Sequence, residues 1–163
     1  MSGGDGGVAP IQAVGEEARL SKPRAPETVR DSRAMLTGMR PVLEAGDAVF
    51  CTTPDESLAA AARPAALGLF REAEGVSLIL PRKTAEALGF PVDLPMRRIV
   101  LGVASALDGV GLTAAVASAL AAEAIPCNVV AAFCHDHVFV PSAMAERALA
   151  ILKALEAGVD AGQ

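Results

Sequence analysis

IVLGVAS (residues 99–105), LDGVGL (107–112) and CNVVAAFCHDHVFVP (127–141) follow one another almost without spacers. The first is an apolar run that reads as a strand. The second turns the chain, through Gly109 and Gly111, into an alanine-rich helix. The third reads as two short strands around a polar turn, and Pro141 then opens another helix. The order β-α-β-β-α is the skeleton of a ferredoxin-like α/β sandwich, an α+β fold.

Upstream, the same grammar recurs. Residues 66–71 and 76–80 are β-like and joined across Glu72 to Gly75. Pro81 then starts a helix that Gly89 stops. Ala85-Glu86 stands where Ala145-Glu146 stands 60 residues later, which points to an internal duplication. Further upstream, Met35, Leu36 and Met39 recur at helical spacing, and Pro41 ends or kinks that turn. Gly46-Asp47 opens a strand over 48–53, closed by Pro54. The stretch 55–64 is compatible with a short helix or with a loop. Residues 1–31 mix Gly, Pro, Arg and Glu without periodicity and read as a disordered tail. The organisation expected is therefore a tail over 1–31, a degenerate unit over 32–95, a second unit over 96–157 and a short tail over 158–163.

Composition excludes several classes of function. A net charge of −5 with neither Trp nor Tyr leaves no basic groove with stacking platforms, so nucleic acid is not an expected partner. No run reaches the roughly 20 apolar residues of a spanning helix, and MSGGDGG lacks the regions of a signal peptide. A cytoplasmic protein with no membrane association is the expectation. Three cysteines, Cys51, Cys127 and Cys134, read as free buried thiols. No nucleophile motif, P-loop or dinucleotide fingerprint occurs. Arg98 and Asn128 offer two residue types used in acylphosphatase chemistry, but the loop after the strand carries no Arg. No catalytic residue and no cofactor is expected.

The loop entering the alanine-rich helix is the candidate site. Helix N-termini present unpaired N–H groups that favour an anion. Gly109 and Gly111 let such a group approach, Ser105 and Thr113 add hydroxyls, and Asp108 either caps the helix or pairs with an ammonium. Leu107, Val110 and Leu112 complete the turn. Leu112, Ala115, Val116, Ala119 and Leu120 form one apolar stripe and read as core, as do Leu149, Leu152 and Leu155. Cys127, Cys134, His135, Asp136 and His137 carry ligand types that suit Zn²⁺, but their spacing matches no metal motif. His135, Asp136 and His137 are kept as a second patch read as a polar turn, with no metal assigned.

The phrases FREAEG (70–75), VGLTAA (110–115) and CNVVAA (127–132), with HDHVFVP (135–141), resemble the small bacterial ACT domain-containing proteins. These are similar to the ACT pairs of aspartokinases and to CASTOR-type arginine sensors. The resemblance spans roughly 33–155. It implies two ACT-like units in tandem, the first degenerate, and a non-catalytic regulatory module. A small amino acid is the implied ligand, held at an interface between units. Its carboxylate is expected at 107–113, and its side chain at Cys127, Asn128 and Val129 or on a second copy in a homodimer. A regulated protein partner is also implied. Where the family carries a polar residue near 104 and an aromatic or His at 134, this chain has Ala104 and Cys134. Two other readings remain: an interaction module without a metabolite, and a metal-binding hairpin at 135–137.

Overall fold

The computed structural model describes residues 27–160. The expected tail therefore lies mostly outside the described residues. Its last part does not behave as a tail, because Val29 bridges to Ser105: Val29 N–H donates to the Ala104 carbonyl at 2.8 Å, and Ala106 N–H donates to the Val29 carbonyl at 2.9 Å. At the other end the final helix runs on to Asp160, three residues into the short tail expected there.

Among the described residues six strands form one antiparallel sheet. Helix α1 (Ser32–Thr37) precedes β1 (Pro41–Thr53), then α2 (Glu56–Ala62), one 3-10 turn over Arg63–Ala65, β2 (Gly68–Glu72), β3 (Gly75–Pro81) and α3 (Arg82–Ala87). The second half runs β4 (Met96–Leu101), α4 (Leu112–Ala122), β5 (Asn128–Ala131), β6 (Asp136–Pro141), a 3-10 turn over Ser142–Met144, and α5 (Ala145–Asp160). The undecided stretch at 55–64 is helical: the Asp55 side chain caps α2 by accepting from Ser57 and Leu58 N–H.

Strand order is β2-β3-β1-β4-β6-β5. Each half is a βαββα unit that lacks the fourth strand of a ferredoxin-like sandwich, and each takes that strand from the other. The first unit uses β4 and the second uses β1. The seam runs from Pro41 opposite Leu101 to Ala48 opposite Met96. The length of β1, 13 residues, follows from the double duty: its end at 48–53 pairs with β3, and its start pairs with β4. Pro41 thus begins a strand instead of ending a helix. Between Leu43 and Asp47 the register shifts, with Gly46 at φ 82. Such a bulge suspends the two-residue period, so the sequence does not read as a strand there.

Helix-facing side chains build two cores. Val49, Leu78, Leu80, Ala59 and Phe90 pack in the first unit. The second core is larger, with Ile99, Leu101, Val116, Leu120, Val138 and Leu152, and it also contains Met35 and Met39 from α1. Helix α1 therefore precedes the first unit in sequence but packs with the second. The α4 stripe is core as expected, with Leu112, Val116 and Leu120 buried; of the α5 leucines, Leu152 is fully buried and Leu149 and Leu155 are half-buried. Each fully buried Leu or Met contributes roughly 1.5–3 kcal/mol, which makes α1 an integral part of the second unit.

Two turn glycines separate strain from crowding. Gly89 has φ +79 with nothing within 4 Å of where a Cβ would lie, whereas at Gly75 (φ +142) that Cβ would sit 2.4 Å from the Thr53 carbonyl oxygen. Gly89→Ala should cost about 1–2 kcal/mol, the left-handed penalty alone. Gly75→Ala should cost distinctly more, because the β1 backbone must move. Urea denaturation of the two variants checks the ranking, and equal midpoints would contradict it.

Candidate functional site

The chain leaves the sheet at Gly102, whose N–H donates to the Met39 carbonyl at 2.6 Å, and travels to α4 through residues 103–111. The strand is thus β4, ending at Leu101, not a run reaching Ser105. Helix α4 starts at Leu112 with Gly111 as N-cap, at φ 110, and no side chain caps it. Asp108 is not the cap. It is exposed and paired with Arg30, Nε to Oδ1 3.1 Å.

The approach that Gly109 and Gly111 allow is taken by α1. A Cβ at Gly111 would lie 2.7 Å from Ser32 Oγ, and one at Gly109 would lie 3.0 Å from Met35 Sδ. Behind α1 a polar cavity of about 60 Å³ remains, lined by Ser105, Leu107, Gly109, Leu112 and Thr113 together with Met35, Ala131 and Asp136. Asp136 is 5% exposed, and its Oδ2 accepts from Ser105 Oγ at 3.0 Å. Outside the loop lies an open recess of about 230 Å³ whose wall includes Thr28, Arg30, Asp108 and Phe133 and shares Ser105, Ala106 and Leu107 with the cavity. Leu107, Val110 and Phe133 are left 68%, 80% and 65% exposed.

Cys127, Asn128 and Val129 do not reach this site. Helix α4 runs back along the sheet, so the start of β5 lies near the helix C-terminus, about 16 Å from its beginning at 1.5 Å per residue. Cys127 and Val129 instead pack against the second core, and burial raises the Cys127 thiol pKa, as it does that of Cys51. The strand residues that do reach the cavity are Ala131 and Asp136, at the opposite end of the β5–β6 pair. Alternation along the hairpin, which places Asp136 and His137 on opposite faces, was the available signal.

The second patch is likewise not a unit. Asp136 points to the helix side, whereas His137 lies on the helix-free face, in a cross-strand row with Val42, Val100 and Val130. His135 Nδ1 is 3.3 Å from the Val103 carbonyl oxygen. Among the described residues no group of three or more His, Cys, Asp or Glu side chains is placed to hold a metal ion. Among the described residues the buried His137 Nδ1 has no hydrogen-bond partner.

The geometry defines a pair of ferredoxin-like units with an uncapped helix start and a buried carboxylate around one small cavity. Models of the ACT domain match residues 28–97 and 95–154. A Vibrio cholerae protein of unknown function, described as a possible transport protein, is 38% identical over 76% of this chain and 94% of that one, with a TM-score of 0.67. The chain belongs to the ACT-domain family, as a tandem of two units. The fold is shared with the aspartokinase alpha and beta subunits (15% identity, TM-score 0.52) and with the regulatory subunit of aspartate kinase from Thermus flavus (12%, 0.51). Each of these two alignments covers 71% of this chain and 95% of the other. No curated protein matches the chain. Among the described residues no helix is long and apolar enough to cross a membrane.

Burial lowers the pKa of His137, with the positive charges of Arg98 and His135 adding to the effect. The folded state therefore holds this imidazole neutral at a pH where the unfolded chain, near 6.5, takes up a proton. Its stabilising contribution is complete above about pH 6.5 and is lost as pH falls toward the folded-state pKa. His137→Gln should flatten the acid limb of stability in that window. Urea midpoints measured from pH 7.5 to 5 check this, and parallel limbs for both proteins would contradict it.

Proposed function

We propose that this protein is a non-catalytic regulatory module that binds a small amino acid where the leading segment of the first ACT unit meets the β4–α4 loop of the second. One observation carries the reading: a buried carboxylate, Asp136, and the uncapped start of α4 border the same cavity. A zwitterion needs one group of each kind. The α4 amides suit its carboxylate, and Asp136 suits its ammonium. About 60 Å³ admits a few water molecules or the head group alone. The side chain must pass the shared wall at Ser105–Leu107 into the outer recess, beside Arg30 and Asp108. Displacement of α1 from the glycines enlarges the inner space, and Ser32 and Met35 are the groups that move.

The regulatory role follows the same line. Aspartate kinase regulatory subunits carry this fold, and a ligand that shifts α1 away from the β4–α4 loop offers a partner protein a changed surface. A second reading, an interaction module with no metabolite, draws on the exposed cluster of Leu107, Val110 and Phe133 around the loop.

Thermal unfolding in the presence of each protein amino acid separates the two. A ligand of the folded state raises the melting temperature once its concentration exceeds Kd, by about 2.7 kcal/mol of stabilisation at 100 Kd. At least one amino acid should shift the wild type, and Asp136→Asn should abolish that shift while keeping the fold. No shift with any of them would favour the interaction module.

A further inference from the structure

Residues 27–31 cross the β4–α4 loop as a short strap, and few ties hold them there. Val29 supplies both backbone hydrogen bonds, donating to the Ala104 carbonyl and accepting from Ala106 N–H. It is also the one half-buried residue of the five; the other four are exposed. Arg30 adds a fork to Asp108, Nε to Oδ1 at 3.1 Å and Nη2 to Oδ2 at 3.3 Å, but the two side chains are 68% and 69% exposed. Ion pairs so open to water hold weakly. Past the strap the anchoring changes. The Asp31 carboxylate caps α1 by accepting from Ala34 N–H at 2.8 Å, and Met35 and Met39 are 1% and 0% exposed. The chain is firmly held from α1 onward and loosely before it.

The strap also lies where the two spaces of the site are divided. Their common wall is Ser105, Ala106 and Leu107. The two Val29 bonds land on either side of Ser105, and Thr28 and Arg30 line the outer recess themselves. We infer that the strap is a gate on the inner cavity. It lifts by local opening, hinged where Asp31 enters α1, and so frees the wall at 104–106 to join the recess of about 230 Å³ to the cavity of about 60 Å³. A segment with few buried apolar contacts and solvent-exposed hydrogen bonds opens at a free energy well below that of global unfolding. A ligand of the cavity is then admitted only from the open state. That the ligand is an amino acid rests on the reading above; that the gate opens does not.

Opening is measured with no amino acid present. In hydrogen exchange on the full chain, the Val29 and Ala106 amides should exchange at least about tenfold faster than those of Ile99 and Val100 in the doubly paired β4. Low concentrations of urea should leave the first pair of rates nearly unchanged, because little surface is exposed by a local opening, and raise the second pair. Asp108→Asn, which removes only the exposed ion pair, should speed Val29 and Ala106 by about two- to fivefold. Ala106→Cys places a thiol at a wall position that is 8% exposed. Its alkylation by iodoacetamide, followed by mass spectrometry, should accelerate by the same factor when Asp108→Asn is added. Val29 and Ala106 exchanging at the rate and urea dependence of β4, or either readout indifferent to Asp108→Asn, would overturn the gate. The absence of a thermal shift with every amino acid would instead sink the binding reading and leave these results standing.

Discussion

The pairing of β1 with β4 is the interaction on which everything else depends. Each βαββα half ends one strand short, and an unpaired central strand would leave a row of backbone donors and acceptors without partners. Exchanging strands across the seam at Ala48 and Met96 satisfies both halves at once. It also fixes which faces are covered. The two units come together with their helices on the same side, so one face is sealed and the other carries no helix among the described residues.

The position of α1 follows from the same constraint. Because β1 starts deep in the second unit's half of the sheet, the helix before it must lie over that half. Arg40 N–H donates to Glu156 Oε1 of α5 at 2.9 Å and ties the turn down. The start of α4 thus lies under a helix from the other unit, and the polar space between them is small. Its character is set by burial: a lone ammonium or carboxylate inside would be costly, whereas a group matched by Asp136 on one side and by helix amides on the other is compensated.

Much of this was legible in the sequence. Pro81 and Pro141, 60 residues apart, marked the two strand ends and helix starts that the fold repeats. The cavity wall was legible through Ser105, Gly109 and Thr113. What local pattern could not reveal was everything set by long-range pairing. The β1 bulge hid seven strand residues from Pro41 onward, and the borrowed strands left no mark on either half alone. Cys127 to Val129 lie far from the loop because the length of α4 carries the chain to the far end of the sheet, a separation that no local pattern states. Asp136 was grouped with its sequence neighbours His135 and His137, although the pleat sends it to the other side.

The shared seam also gives the duplication an inheritance of its own. Two copies that each complete the other are no longer two folding units, and neither can be deleted without stripping the survivor's inner strand. A fold built this way can let one copy drift in its helices and loops, as α2 and the abrupt turn at Pro54 have drifted from α4 and its long approach, while the strands beside the axis are held together by mutual need.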